Sequence, residues 1–169
     1  MKDLSILQKY MVCTVNEKGV FPFASVEERI LGLVAAGLLE LEMEGCITIR
    51  GRKIAAAGRL PAHRTYLEPL YAFIQEKQEV KADVVVDAYN FSWTDKRLKA
   101  LWGAVGESLV KLGAAAPCKA GLLGKQTGYQ PAPGVVQSVV EQMRAELLED
   151  GPVCDDTAAL VVLLEQVKC

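Results

Sequence analysis

The chain has 169 residues, 51% of them hydrophobic, with a formal net charge of -2 and a pI near 5.5. That length supports one well-buried core, so a single domain over residues 1–169 is expected. The charge argues against a globally basic nucleic-acid binder, and the longest apolar run, residues 30–39, is shorter than the roughly 18 to 20 residues that cross a bilayer.

The opening MKDLSILQKYMV is interrupted by Asp3 and lacks the apolar centre of a secretory signal. Five cysteines form an odd set without C-x-x-C spacing, which points to free thiols in a cytoplasmic protein. Leu4, Leu7, Met11 and Val15 make a helical stripe, although residues 11–15 also suit a strand, and residues 16–19, NEKG, read as its stop. A loop with Pro22 between two phenylalanines leads to Ser25. With Glu28 three positions later, Ser25 has the spacing of a capping box and is expected to open a helix. Residues 30–39 are apolar or small throughout, so this helix should be packed on several sides as a central pillar. Gly45 is its stop, and the alternation of Ile47 with Ile49 starts a strand.

Residues 46–49 and 54–57, joined by Arg50, Gly51, Arg52 and Lys53, form a hairpin pattern, so pillar and hairpin together are winged-helix-like. The basic turn reads either as a solvated tip or as a phosphate contact. After a linker at 58–61, helices are expected at 67–77, with Pro69 in the first turn, and at 80–91, where the valines also permit a strand. Ser92 with Asp95 opens the next helix, whose stripe of Leu98, Leu101, Trp102, Val105, Leu109 and Leu112 runs to Gly113. Residues 119–129 read as a β-hairpin or extended loop displaying Leu122 and Leu123. Residues 135–148 then form a helix with Val136, Val139, Val140, Met143 and Leu147 on one side, and Asp155 or Asp156 caps a last helix at 157–167. The fold class is mostly α: a single-domain helical bundle of six or so helices, with a winged-helix-like small hairpin and a protruding β-hairpin.

No catalytic set is visible. His63 lies in a linker, the cysteines match no zinc pattern, no phosphate-loop motif is present, and Gly32 and Gly37 suit close helix packing. Glu40, Glu42 and Glu44 need not converge, and the paired aspartates have sufficient work as caps. A non-enzymatic protein without cofactor or metal is expected. A binding surface is suggested by residues 95–99, DKRLK, between Trp93 and Trp102. Lys99 and Trp102 share a helical face, where a cation beside an indole suits an anionic headgroup and Arg97 adds charge. The alternative is a core Trp102 with a solvated Lys99.

Residues 38–49, LLELEMEGCITI, resemble the helix end L-x-E-L-x-L-x-G-x-I-x-[LI] of the Golgi phosphoprotein 3-like family. Residues 107–113, Pro131 and residues 156–164, DTAALVVLL, extend the similarity over nearly the whole chain. The resemblance implies a mostly α domain with a protruding hairpin. Eukaryotic members bind phosphatidylinositol 4-phosphate, act as sorting adaptors and self-associate through that hairpin. The family's headgroup tryptophan and arginine near the pillar start fall on Ser25 and Val34, and its later arginine pair falls on Lys99 and Trp102. One positive charge is thus kept, as in a divergent, prokaryotic member.

The expected function is that of a peripheral membrane adaptor binding anionic, phosphoinositide-like headgroups through Lys99, Trp102 and Arg97. Leu122 and Leu123 would touch a membrane or a second subunit of a homo-oligomer, and no nucleic acid is expected. The alternative is a protein-interaction or regulatory module that oligomerises through the 118–130 hairpin without binding phosphoinositide.

Overall fold

The computed structural model describes residues 3–91, 94–121, 124–149 and 151–168. Helix α1 (Ile6–Thr14) opens with a true capping box: the Ser5 hydroxyl accepts from the Gln8 amide at 3.3 Å, and the Gln8 side chain accepts from the Ser5 amide at 3.0 Å. The pillar is α2 (Val26–Met43), and no such box forms there. Ser25 ends a 3-10 turn (Phe23–Ser25) with backbone angles outside the capping range, and its hydroxyl accepts instead from Arg29 Nε at 2.8 Å.

Helix α2 packs against α1, α3 (Glu68–Lys77), α4 (Ala82–Asn90) and α7 (Asp155–Gln166). Close approach is set by two glycines. A Cβ at Gly32 would run into the Tyr10 ring, and one at Gly37 would meet Leu70 Cδ2 at 2.8 Å. One strip of the pillar stays open to solvent, however, where Leu31 and Met43 are exposed. Gly45, with φ of +70°, ends the pillar as its sequence position predicts.

The first hairpin becomes a three-stranded antiparallel sheet of β1 (Ile47–Arg50), β2 (Lys53–Ala56) and β3 (Glu79–Lys81). Residues 80–91, compatible with helix or strand by composition, divide: Val80 sits in β3, and α4 follows. Opposite Ile54 stand Ile49 and Val80, an apolar row facing the core, while the neighbouring row Arg50, Lys53 and Lys81 faces solvent. Glu42, near the end of α2, accepts from the Ile49 amide at 3.0 Å and fixes the corner between pillar and sheet.

Helix α5 (Lys96–Lys111) carries the second sheet, β4 (Ala115–Ala120) paired with β5 (Gln126–Pro131). Its N-cap, Asp95, is left-handed at φ of 49° and makes no side-chain cap bond, while Ser92 lies outside the described residues. The hairpin lies against α5 because Gly106 leaves room for the Tyr129 ring. It is strapped by the turn after α1, where the Tyr129 amide donates to the Gly19 carbonyl at 2.8 Å. Helices α6 (Val135–Leu148) and α7 close the bundle. On α6, Val139 is buried but Val136 and Leu147 are exposed, so its buried stripe is narrower than the sequence pattern. The N-cap of α7 is Cys154, whose sulfur accepts from the Thr157 amide at 3.4 Å. Asp155 and Asp156 fall in the first turn, where carboxylates complement the helix dipole. One cluster of buried side chains draws on all seven α-helices of the described residues, consistent with a mostly α single domain.

Candidate functional site

Trp102 is 8% exposed and belongs to the core. Its indole N–H donates to the Thr127 carbonyl at 2.9 Å, and Phe21 meets its ring edge-on at 4.9 Å between centroids. The residue nevertheless forms a wall of a cleft of about 840 Å³. Phe23, Val26 and Ile30 supply one side of this cleft from the start of the pillar, and Leu98 and Lys99 supply another from α5. Lys125, Gln126 and Tyr129 close it from the second hairpin. Core and cleft, alternatives in the sequence, are therefore both true of Trp102.

Charge in the cleft is mixed, with Lys99 and Lys125 facing Asp95 and Glu107. Burial, reinforced by the Glu107 charge, holds the Tyr129 phenol above its ordinary range, so it stays neutral at physiological pH. Arg97 is not part of this cleft. Two positions from Lys99 it points about 200° away around the helix, and its guanidinium lies 4.9 Å from the centroid of the Phe73 ring. Of the three headgroup candidates, the fold thus brings Lys99 and Trp102 together and sends Arg97 elsewhere. Leu122 and Leu123 lie outside the described residues.

Ser25 is engaged with Arg29, whose Nη1 also donates to the Thr14 carbonyl at 2.6 Å, and Val34 is 1% exposed. Neither position supplies the cleft with charge. Two residues that do shape it escaped the sequence reading. Phe23 is 94% exposed at the cleft mouth, and Lys125 approaches from the hairpin. The phenylalanines on either side of Pro22 were the available signal, since a proline-rigidified loop has little freedom to bury both rings.

A second polar cluster lies at the other end of the pillar. The sequence does not require the glutamates to converge, but two of the three do, with Glu40 and Glu44 both on Arg64: Nη1 is 3.0 Å from Glu40 and Nε is 2.8 Å from Glu44. Tyr66 donates to Glu40 and accepts from Arg64 at 2.8 Å, while the Leu7 amide donates to the second Glu40 oxygen at 3.2 Å. His63 lies in the 3-10 turn Ala62–Leu67, with Nε2 3.6 Å from Glu44. The hydrogen bond from Arg64 lowers the Glu44 pKa, and burial followed by the Glu40 charge raises that of Tyr66. For Arg64 burial opposes the charge, but Glu44 and Glu40 outweigh it and the pKa rises. Glu40, Glu44, Arg64 and Tyr66 are partnered by one another and by the Leu7 amide, as expected of a structural network. Among the described residues no group of three or more His, Cys, Asp or Glu side chains is placed to hold a metal ion.

A family model described as Golgi phosphoprotein 3 (GPP34) matches residues 8–169. The chain belongs to the Golgi phosphoprotein 3 family. The resemblance carried by residues 38–49, 107–113 and 156–164 is thereby borne out, as is the mostly α fold. Curated proteins yield no match to this Golgi phosphoprotein 3 family chain. Among its described residues, no helix is long and apolar enough to cross a membrane.

Proposed function

We propose that the chain acts as a single domain over residues 1–169, a non-enzymatic adaptor that docks on the cytoplasmic side of a membrane with an anionic lipid headgroup in the cleft. The observation that carries this reading is Phe23, almost wholly exposed beside Lys99 and Lys125. A large aromatic ring held in water at the mouth of a cleft with two ammonium groups suits a bilayer interface, where the ring enters the headgroup layer and the lysines meet phosphate. Trp102 forms the rigid wall. Lysine lacks the planar fork of arginine, so the cleft is expected to read negative charge more than headgroup stereochemistry.

Magnitudes limit how far one copy can go. Burying the Phe23 ring contributes about 2 kcal/mol, and each lysine near an anionic surface about 1 kcal/mol. A total of about 4 kcal/mol corresponds to a Kd near 1 mM. Residence on a membrane would then need a further contact, for which Leu122 and Leu123 are the candidates from the sequence, or several copies acting together. Self-association through residues 118–130 is a second reading. It is favoured by a two-stranded sheet, which has marginal stability alone and two edges.

Co-sedimentation with vesicles tests the first reading: binding at low salt to vesicles containing phosphatidylinositol 4-phosphate or phosphatidylserine, and little to neutral ones, is expected. Absence of binding to any anionic vesicle would remove the lipid from the proposal. Deleting residues 119–129 should reduce the mass seen by light scattering, and an unchanged mass would remove the hairpin contact.

A further inference from the structure

Between α1 and α6, and sharing no lining residue with the cleft beside Trp102, lies a separate pocket of about 450 Å³ lined by Asp3, Leu4, Lys9, Ser138, Glu141 and Gln142. Lys9 is only 8% exposed, so its carbon stem is part of the packed interior. Its ammonium has Asp3 as an ion-pair partner at 3.7 Å, beyond hydrogen-bond distance, and Asp3 itself is exposed. Lys9 lines the pocket, and among the described residues its Nζ makes no hydrogen bond, although the Glu146 carboxylate also feels its charge. Ser138 and Gln142, one helical turn apart on α6, face the same space, and their side chains likewise make no hydrogen bond among the described residues. The acids sit differently: Asp3 and Glu141 are on the exposed rim, and Glu141 already accepts from Gln137 at 2.8 Å.

We propose that this pocket binds a small zwitterion carrying a primary ammonium and a carboxylate or phosphate, its anionic end on Lys9, Ser138 and Gln142 and its ammonium at Asp3 and Glu141. A deep cation with an acidic rim matches a dipolar ligand. A simple anion would meet two carboxylates on the way in, and a simple cation would face the Lys9 charge. Buried Leu4 and Val139 give the ligand's carbon skeleton an apolar wall. The volume lies within the usual range for small-ligand pockets. Two sources share this chemistry, a free α-amino acid and the phosphoethanolamine group of a lipid.

Backbone amide NMR of the full chain tests the proposal, with O-phosphoethanolamine and L-leucine as probes and inorganic phosphate and ethylamine as single-charge controls. Saturable shifts at Lys9, Ser138 and Gln142 are expected with at least one zwitterion, and which one responds identifies the source. The controls should bind at least about tenfold more weakly. Lys9→Met, which preserves the packed stem, should weaken the zwitterion about tenfold or more. Should that variant not fold, Asp3→Asn, at an exposed position, should weaken the zwitterion and leave phosphate unweakened. No shift with either zwitterion, phosphate binding as tightly as phosphoethanolamine, or unchanged affinity in both variants would overturn the proposal.

Discussion

The two ends of the pillar helix hold polar groups in opposite conditions. At the C-terminal end, Glu40 and Glu44 share Arg64, Tyr66 closes the ring of hydrogen bonds, and the cluster's polar atoms find their partners inside the protein. At the N-terminal end, Lys99 and Lys125 face a cleft, Phe23 stands in water, and the polar atoms that are paired, such as the indole N–H, serve the walls. The first cluster has the stronger electrostatics and the second the greater capacity to bind. Charge density alone favours the closed end, whereas exposed apolar surface and lysines without a buried partner among the described residues favour the cleft as the place proposed for a ligand.

The sharpest way to break this contrast is to remove one partner at the closed end. Arg64→Ala leaves Glu40, 3% exposed, without its charge partner. Chemical denaturation should show a loss of about 3 kcal/mol, at the low end for a buried pair because the Arg64 side chain is 25% exposed. A loss under about 0.5 kcal/mol, the range of ordinary surface changes, would mean that the cluster is not structural. Next comes Gly106→Ala, which forces a methyl group into the Tyr129 ring and should cost about 2 kcal/mol by overpacking. Because that ring anchors the hairpin, the hydrogen exchange of the Tyr129 amide should accelerate in the same variant.

A pH series separates the ends further. Glu44 has its pKa lowered in the folded state chiefly by the Arg64 hydrogen bond, so below its ordinary value of 4.5 the unfolded chain binds the proton more readily. Its contribution is present above that range and is lost as pH falls through the depressed folded value. The acid limb of the stability curve should therefore be shallower in Glu44→Gln, whereas Lys99→Ala should leave its slope unchanged. Lys99→Ala carries the smallest stability effect, within about 0.5 kcal/mol. Its consequence lies in vesicle binding, which should fall about fivefold for the loss of about 1 kcal/mol.

Local features were legible in the sequence wherever one residue type settles a backbone choice. Gly45 ends the pillar, Pro69 stands in the first turn of α3, and the alternation of Ile47 and Ile49 marks a strand with one buried row. Caps were less legible because several residues compete for the same amides. Ser25 turned to Arg29, while Ser5 with Gln8, the same spacing with glutamine in place of glutamate, made the box. Long-range polar pairing was hidden altogether. Arg64 meets Glu40 and Glu44 across the linker from the sheet, and nothing in either segment specifies that closure. The cleft was half legible: Lys99 and Trp102 follow from helical spacing, whereas Phe23 and Lys125 reach it from loop and hairpin, and Arg97 leaves it by the same helical geometry.

The Glu42 carboxylate bonded to the Ile49 amide has a consequence beyond its own corner. It occupies a donor on the outer side of β1, the side on which another molecule's strand would otherwise add, while the opposite edge, β3, is only three residues long. The small sheet is thus guarded against growing into an intermolecular one. Glu42→Val would uncover that donor and raise β propensity beside it, so the variant should gain a tendency to form fibrils or aggregates without any change in the cleft.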